Sequence, residues 1–453
     1  MSKLESLLYI FGGENMPRLR SIILPLCLSL LTLSVLGDGK TNSGQPAIKS
    51  LDALDQQAKQ RVKGAARVSL ASETDALFND IDSFEAAGSG RAPNYLRALA
   101  MIPASVKPFA KAFKTYVYGG TIAPEVKLAM GLRIAQAHGG SYLATHLQRL
   151  LRATPRGEQI LEKIRVNKLD QLTPAESLAL RYATLLTGDV HGVSDADFEK
   201  TRGSYNDAQI VELTMTVSFF NYFDRFCEAL NLPVEPWALD PQSKPQIPAW
   251  SANPLSAARI ALVSDGEMNT AIAVMAASKD AAAQSSGLGL GIANSQRAMM
   301  RVPDIQTAWR AYTTTTRQNA SIGRDIQLQI SFAVSMANGC RYCTLHQVQG
   351  LRRLGVDMAK LQAMQKSDEA LTPREKVAVT FARKLTRDVT SITDADYAAL
   401  KAEFQEKGAL ESLLQTCNFA YMNRFTDGLR LPSEDEAIRV YREVYGSDFR
   451  ASR

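Results

Sequence analysis

Apolar positions recur at helical spacing through most of the chain, in stretches opened by recognisable start residues. Thr173, Pro174 and Glu176, and again Thr372, Pro373 and Glu375, place a hydroxyl at the cap, a proline at the first helical position and a glutamate at the third. This is a capping box, and it predicts a helix start at both places. Ser194 with Asp195 and Asp197, echoed by Thr393 with Asp394 and Asp396, repeats the logic with first-turn acids that the helix dipole favours. The same letters also spell an Asp-x-Asp metal motif, but a cap accounts for them with less. The stretch from Asp325 is ambiguous: Ile326, Leu328, Ile330 and Phe332 alternate like a strand, whereas Ile326, Ile330, Ala333 and Ala337 follow helical spacing. Its counterpart from Glu125, rich in Leu, Ala and Met, decides for helix.

That counterpart belongs to a chain-wide repeat. RALAMIP at 97–103 returns as RAMMRVP at 297–303, and GGSYLATH at 139–146 as GCRYCTLH at 339–346. The segments opening at Leu172 and Leu371 match, as do DRFCEALNLP at 224–233 and NRFTDGLRLP at 423–432, and AARVSLAS from Ala65 resembles AARIALVS from Ala257. The pattern predicts an all-α fold of two tandem helical bundles of about six helices each, a usual domain size. The first unit spans 50–232 and the second 256–436, with a tail at 437–453. Between them the residues 233–255 hold six prolines, which carry neither helix nor central strand and suit an extended linker. Trp237 and Trp250 lie in it, where they are expected to pin the strap to a domain surface rather than stack on a ligand.

Length alone, 453 residues, sets a prior of about three domains, which the repeat lowers to two. A content of 45% hydrophobic and 22% charged residues is that of a globular chain and excludes disorder or collagen. The net charge of +6, from 52 Lys and Arg against 46 Asp and Glu interspersed without blocks, gives no footprint for nucleic acid, which is set aside as a partner. Near the amino terminus Arg18 and Arg20 precede a 16-residue apolar run, Ser21–Leu36, with a polar stretch after Gly37. Residues 1–37 therefore read as a signal peptide, or as a retained N-terminal anchor although the run is short of the roughly 20 residues of a membrane span. The expected product is exported, periplasmic or secreted. Cys27, inside the run, follows Leu26 rather than a small residue and reads as apolar filler.

Five cysteines in so long a chain cannot be a disulfide scaffold. Cys340 and Cys343 form a C-x-x-C with His346 three residues on, after the helix-breaking Asn338 and Gly339. The pair is thus expected in the first turn of a new helix, where the dipole and unpaired amides favour a thiolate. His346 falls at i+3 from Cys343 and shares its face, close enough to take its proton. Such an arrangement permits attack of the Cys343 thiolate on a peroxide or disulfide, with Cys340 resolving the product. Other readings stand beside it: half of a zinc site without an evident second pair, a structural disulfide, and, for His346, a satisfied histidine, since His146 holds the matching place where Gly140 and Leu143 replace the cysteines. Cys227 and Cys417 sit in apolar helical stretches and read as core thiols. Arg225 and Arg424 recur in the two repeats and are expected to pair with a carboxylate in each bundle, Glu212 or Glu411.

NGCRYCTLHQVQGLRRLGV, with the helix before it and the LTP, DADF and NRF segments after it, resembles the carboxymuconolactone decarboxylase and alkylhydroperoxidase D superfamily, and both units are similar to it from about Ala65 to Pro432. The resemblance implies an all-helical bundle that assembles into homo-oligomers, trimers or hexamers. It implies a thiol peroxidase or disulfide oxidoreductase needing no cofactor or metal, with Cys343 peroxidatic, Cys340 resolving, a peroxide or disulfide as substrate and an unknown thiol as reductant. A scaffold protein with a structural C-x-x-C, or a decarboxylase of the superfamily, are the alternatives. Two positions depart from the family pattern: Gln347 stands where a histidine is usual, and Leu328 where thiol members carry a relay glutamate, with Asp325 one turn earlier as an imperfect substitute.

Overall fold

The computed structural model describes residues 48–79, 81, 91–241, 243, 245, 247–248 and 293–449. The run Ser21–Leu36, Cys27, Trp250 and the segment from Ala257 lie outside the described residues. Among those described the secondary structure is helical throughout, with no strand. No helix there is long and apolar enough to cross a membrane.

The helices run in an order that recurs. After α1 (Leu51–Arg61), the first unit continues with α2 (Asn94–Leu99), α3 (Pro103–Tyr118), α4 (Pro124–His138), α5 (Ser141–Arg152), α6 (Gly157–Arg165), α7 (Pro174–Gly188), α8 (Asp195–Arg202) and α9 (Asp207–Ala229). The second has α10 (Asn294–Met299), α11 (Pro303–Arg317), α12 (Gly323–Asn338), α13 (Arg341–Arg353), α14 (Met358–Lys366), α15 (Pro373–Arg387), α16 (Asp394–Gly428) and α17 (Asp435–Tyr445). Thr173 and Thr372 form the expected capping boxes, each accepting from the N–H of a glutamate whose carboxylate returns to the cap amide. Ser194 and Thr393 accept from the N–H of Asp197 and Asp396, so these acids are cap residues. Helix α16 is two segments broken at Gln405, whose φ of 59° lies outside helical space, at the place where Gly203–Asn206 separates α8 from α9.

Residues from Ile48 onward pack as one compact unit. Its centre is made where α9 lies along α16 and α3 along α11. Tyr116 stacks on Phe219 at 4.2 Å and Trp309 on Tyr421 at 4.5 Å. The hydroxyls of Tyr116 and Tyr421 share a hydrogen bond of 2.7 Å, and those of Tyr222 and Tyr312 form a second pair. Four buried phenols thus satisfy one another across the seam, as buried hydroxyls must. A separate apolar cluster of Leu328, Val348, Leu351, Leu361, Val440 and Tyr441 ties α13 to α12, α14 and α17. In the strap after α9, Trp237 packs edge-on to His146 at 5.6 Å with the Arg149 guanidinium 4.9 Å over its ring, which fixes the strap to α5.

Candidate functional site

Helix α12 ends at Gly339, whose φ of 70° reverses the chain; the Gly339 and Cys340 amides return to the carbonyls of Met336 and Ser335. A glycine at that station meets no penalty for the left-handed conformation. Cys340 is thereby set as the N-cap of α13, and its sulfur accepts from the Cys343 N–H at 3.3 Å. Both sulfurs lie 3.4 Å from the Thr426 hydroxyl, which itself donates to the Met422 carbonyl and so presents its oxygen to the two thiols. Both cysteines are reduced and buried; Cys340 has no exposed surface and Cys343 keeps 3%.

The helix start therefore serves Cys340 most directly, yet that thiol is not acidic. Burial pushes it well above the ordinary value, and the neighbouring Cys343 and the Asp427 carboxylate push the same way. The expectation of a thiolate favoured by the helix end fails for Cys340, because desolvation and a like charge outweigh a single amide. Cys227 and Cys417 are buried core thiols, also raised by desolvation.

His346 is on the expected face but does not reach the sulfur. Its Nδ1 donates to the Tyr342 carbonyl at 2.7 Å, and its Nε2 lies 2.6 Å from Glu434 Oε2. Glu434 also accepts from the Asn294 N–H at 2.6 Å and from the Tyr342 hydroxyl at 3.0 Å. Burial works against this carboxylate, but the bonds from His346 and the Asn294 amide outweigh it and hold it down at about 2. The first unit repeats the arrangement without cysteines: His146 Nε2 meets Glu235 Oε2 at 3.0 Å, and the Tyr142 hydroxyl and the Asn94 amide bond the same carboxylate. In both units the histidine clamps the strap that follows the long helix to the start of a short one.

The groups that do surround the sulfurs come from farther along the chain. Asp427, one residue beyond Thr426 on α16, is near enough for its charge to push the Cys340 thiol up. Burial raises the Asp427 carboxyl to about 6, against the pull of the Cys340 thiol, His191 and Arg424. His191, on the 3-10 turn Val190–Gly192 between α7 and α8, lies with Nε2 at 3.7 Å from Asp427 Oδ2 and donates at 2.9 Å to the Asn338 carbonyl at the end of α12. Arg424 is buried beside Arg225, and burial together with that like charge pushes it well down. Their predicted partners are not there. Arg225 donates to Asn221 O and Oδ1 and Arg424 to the carbonyls of Ala420 and Thr187. Glu212 instead pairs with Lys127 at 2.6 Å, both side chains fully buried, and Glu411 bonds Ser321.

Where the second unit has Cys340, Gly140 has no room for a side chain: a Cβ there would meet Asp224 Oδ1 at 1.9 Å. Asp224 is paired with His138 Nδ1 at 2.9 Å. Burial pushes the carboxyl well up and the imidazole well down, and the two side chains fill the station. In the second unit Asn338 and Asn423 take these places, bonded at 2.8 Å, and leave space for sulfur. Leu328 packs in the apolar cluster of α13, and Asp325 is exposed on the first turn of α12. That turn is about 20 Å from the cysteine end of the helix at 1.5 Å per residue, so Asp325 is no substitute for the relay acid. No group of three His, Cys, Asp or Glu that would hold a metal ion is present among the described residues.

Residues 303–384, from the start of α11 into α15 and including both cysteines, match the model of the carboxymuconolactone decarboxylase family. That segment is similar to a superfamily of helical proteins, in agreement with the all-helical architecture. No curated protein and no solved structure matches the chain.

Proposed function

We propose that the protein is a thiol-dependent reductant of peroxides or disulfides of the alkylhydroperoxidase D type, acting through Cys343 and Cys340. The observation that carries this reading is the contact of two reduced sulfurs around one hydroxyl, at the N-terminus of a helix, in a segment similar to the carboxymuconolactone decarboxylase family. Cys343, the one with residual exposure, attacks the terminal peroxide oxygen; the O–O bond breaks, the alcohol or water leaves with a proton, and Cys343 becomes a sulfenic acid. Cys340 then attacks that sulfur, the S–S bond forms and water departs. An external dithiol, oxidised in turn, returns the pair to its reduced form. His346 is placed to hold Glu434 and the strap. Export, homo-oligomeric assembly and a role for the first unit as a non-thiol support belong to the same proposal.

Replacing Cys343 by Ser tests it: peroxide consumption in the presence of a dithiol should be abolished while the fold is kept. Near-complete burial of both sulfurs favours a second reading, a scaffold in which the pair is a structural staple. In that case C343S leaves peroxide consumption at the level of the wild type and lowers the melting temperature of the oxidised protein.

A further inference from the structure

The groups expected to handle the thiol proton do not reach the pair. His346 is taken by Glu434 and the Tyr342 carbonyl, and the station of the usual relay acid holds Leu328, packed in the apolar cluster of α13. The polar contacts that the two sulfurs do make are few. Cys340 Sγ accepts from the Cys343 N–H at 3.3 Å, and the Thr426 hydroxyl lies 3.4 Å from Cys340 Sγ and 3.4 Å from Cys343 Sγ. Thr426 is buried in the second half of α16, where its hydroxyl has the Met422 carbonyl at 3.0 Å, one turn back, and the Asn423 carbonyl at 3.4 Å. A hydroxyl has one hydrogen to give and two lone pairs to offer, so with both thiols protonated it gives to the helix carbonyl and accepts from the S–H groups. The carbonyl does not depend on that bond, because an α-helix already supplies it with an amide. In the first unit the residue at the place of Thr426 is Cys227, and Gly140 and Leu143 stand in place of the cysteine pair. The titratable and charged groups around the pair are Asp427 and Arg424 on α16, His191 from the turn between α7 and α8, Tyr342 and His346 on α13, and Glu434 in the strap before α17.

We propose that Thr426 is a catalytic residue of the thiol cycle, its hydroxyl donating to whichever of the two sulfurs carries the negative charge, first Cys343 and then Cys340. The proposal rests on the thiol reading above and adds to it the group that stabilises the thiolates. Once ionised, the Cys343 sulfur has no hydrogen to give, and the Thr426 O–H turns from the Met422 carbonyl to the sulfur. A hydrogen bond to an ion is roughly twice as strong as one between neutral groups, so the exchange is favourable. After Cys343 has taken the peroxide oxygen, the same hydroxyl, equally distant from Cys340, turns to that sulfur as it attacks. Thr426 keeps its own proton throughout. The Cys343 proton leaves with the alcohol or water formed from the peroxide. The Cys340 proton leaves with the hydroxide released from the sulfenic acid, so that the S–S bond closes with water as the product. In the reductive direction the hydroxyl receives each thiolate as the external dithiol displaces it.

The test is Thr426→Val, which keeps the shape and removes the hydroxyl, beside Thr426→Ser, which keeps the hydroxyl, both in the full chain and with the melting temperature measured. Ionisation of Cys343 is read as the rate of its alkylation by iodoacetamide across pH, followed on the Cys343 peptide by mass spectrometry. Consumption of hydrogen peroxide with dithiothreitol is measured at pH 7. In T426V the pH of half-maximal alkylation should rise by about one to two units, the worth of a hydrogen bond to a charged group, and peroxide consumption should fall by about 10-fold or more. T426S should restore both, and the titratable groups around the pair are the same in all three proteins. A T426V profile that superimposes on the wild type, with consumption unchanged, overturns the inference and leaves the thiol reading intact. Consumption lost in T426V together with melting temperature, with the profile unmoved and no rescue in T426S, makes Thr426 a packing residue and overturns it as well. C343S consuming peroxide as fast as the wild type overturns both readings.

Discussion

A Cβ on Gly140 would lie 1.9 Å from Asp224 Oδ1, so the station that carries Cys340 in the second unit is closed in the first. The difference lies in the partner rather than in the cysteine alone. Asn423 stands in the second unit where Asp224 stands in the first, and it turns toward Asn338 and Ser335. Gly140→Ala should destabilise the protein by about 1–3 kcal/mol, the usual range for overpacking a filled site. Urea unfolding measures this, and an unchanged midpoint would show that Asp224 moves aside freely.

The Tyr116–Tyr421 hydroxyl pair gives a test of how the seam is held. Tyr116→Phe leaves the Tyr421 hydroxyl buried and alone, at a cost of about 1–3 kcal/mol, whereas the double variant Y116F/Y421F removes both polar groups and should recover much of that loss. Both units should lose stability together in a single transition. Two separated transitions in denaturant, or strictly additive effects, would contradict a shared core.

His346→Ala should leave peroxide consumption nearly intact and change acid stability. Glu434 is held at about 2 in the folded protein, below the ordinary carboxyl value of about 4.3. Its contribution is therefore fully present above pH 4.3 and is lost as pH falls toward 2. The melting-temperature gap between wild type and H346A should be clear at pH 6 and shrink across pH 4.3 to 2. A variant as stable as wild type at pH 6 but inactive would return the histidine to the chemistry.

Local signals were legible because they act within one turn. Thr173, Thr372, Ser194 and Thr393 announce their helices by bonds that span three residues, and Gly339 followed by Cys340 marks where one helix ends and the next begins. The helical reading of Asp325–Gly339 holds against its strand-like alternation because its side chains are buried on every face of α12. The predicted pairing of Arg225 with Glu212 ignored distance: thirteen residues on one helix are about 20 Å apart. His346 shares the face of Cys343, but spacing does not show that Glu434, eighty-eight residues on, takes its free nitrogen. Asp427 and His191 were invisible for the same reason, since nothing in the letters DVHGV and RFTDG says that a turn after α7 crosses to the end of α16. Asp427 follows the recurring Arg424 by three residues, one helical turn, and that spacing is the local signal the letters carry.

The account stands on chemistry between two sulfurs, and the most direct measurement is peptide mapping by mass spectrometry after one equivalent of hydrogen peroxide. It predicts a Cys340–Cys343 disulfide in the treated protein, reversed by a dithiol, with Cys227 and Cys417 unmodified. Peroxide that persists while both thiols of the pair remain free to alkylation after unfolding would contradict it.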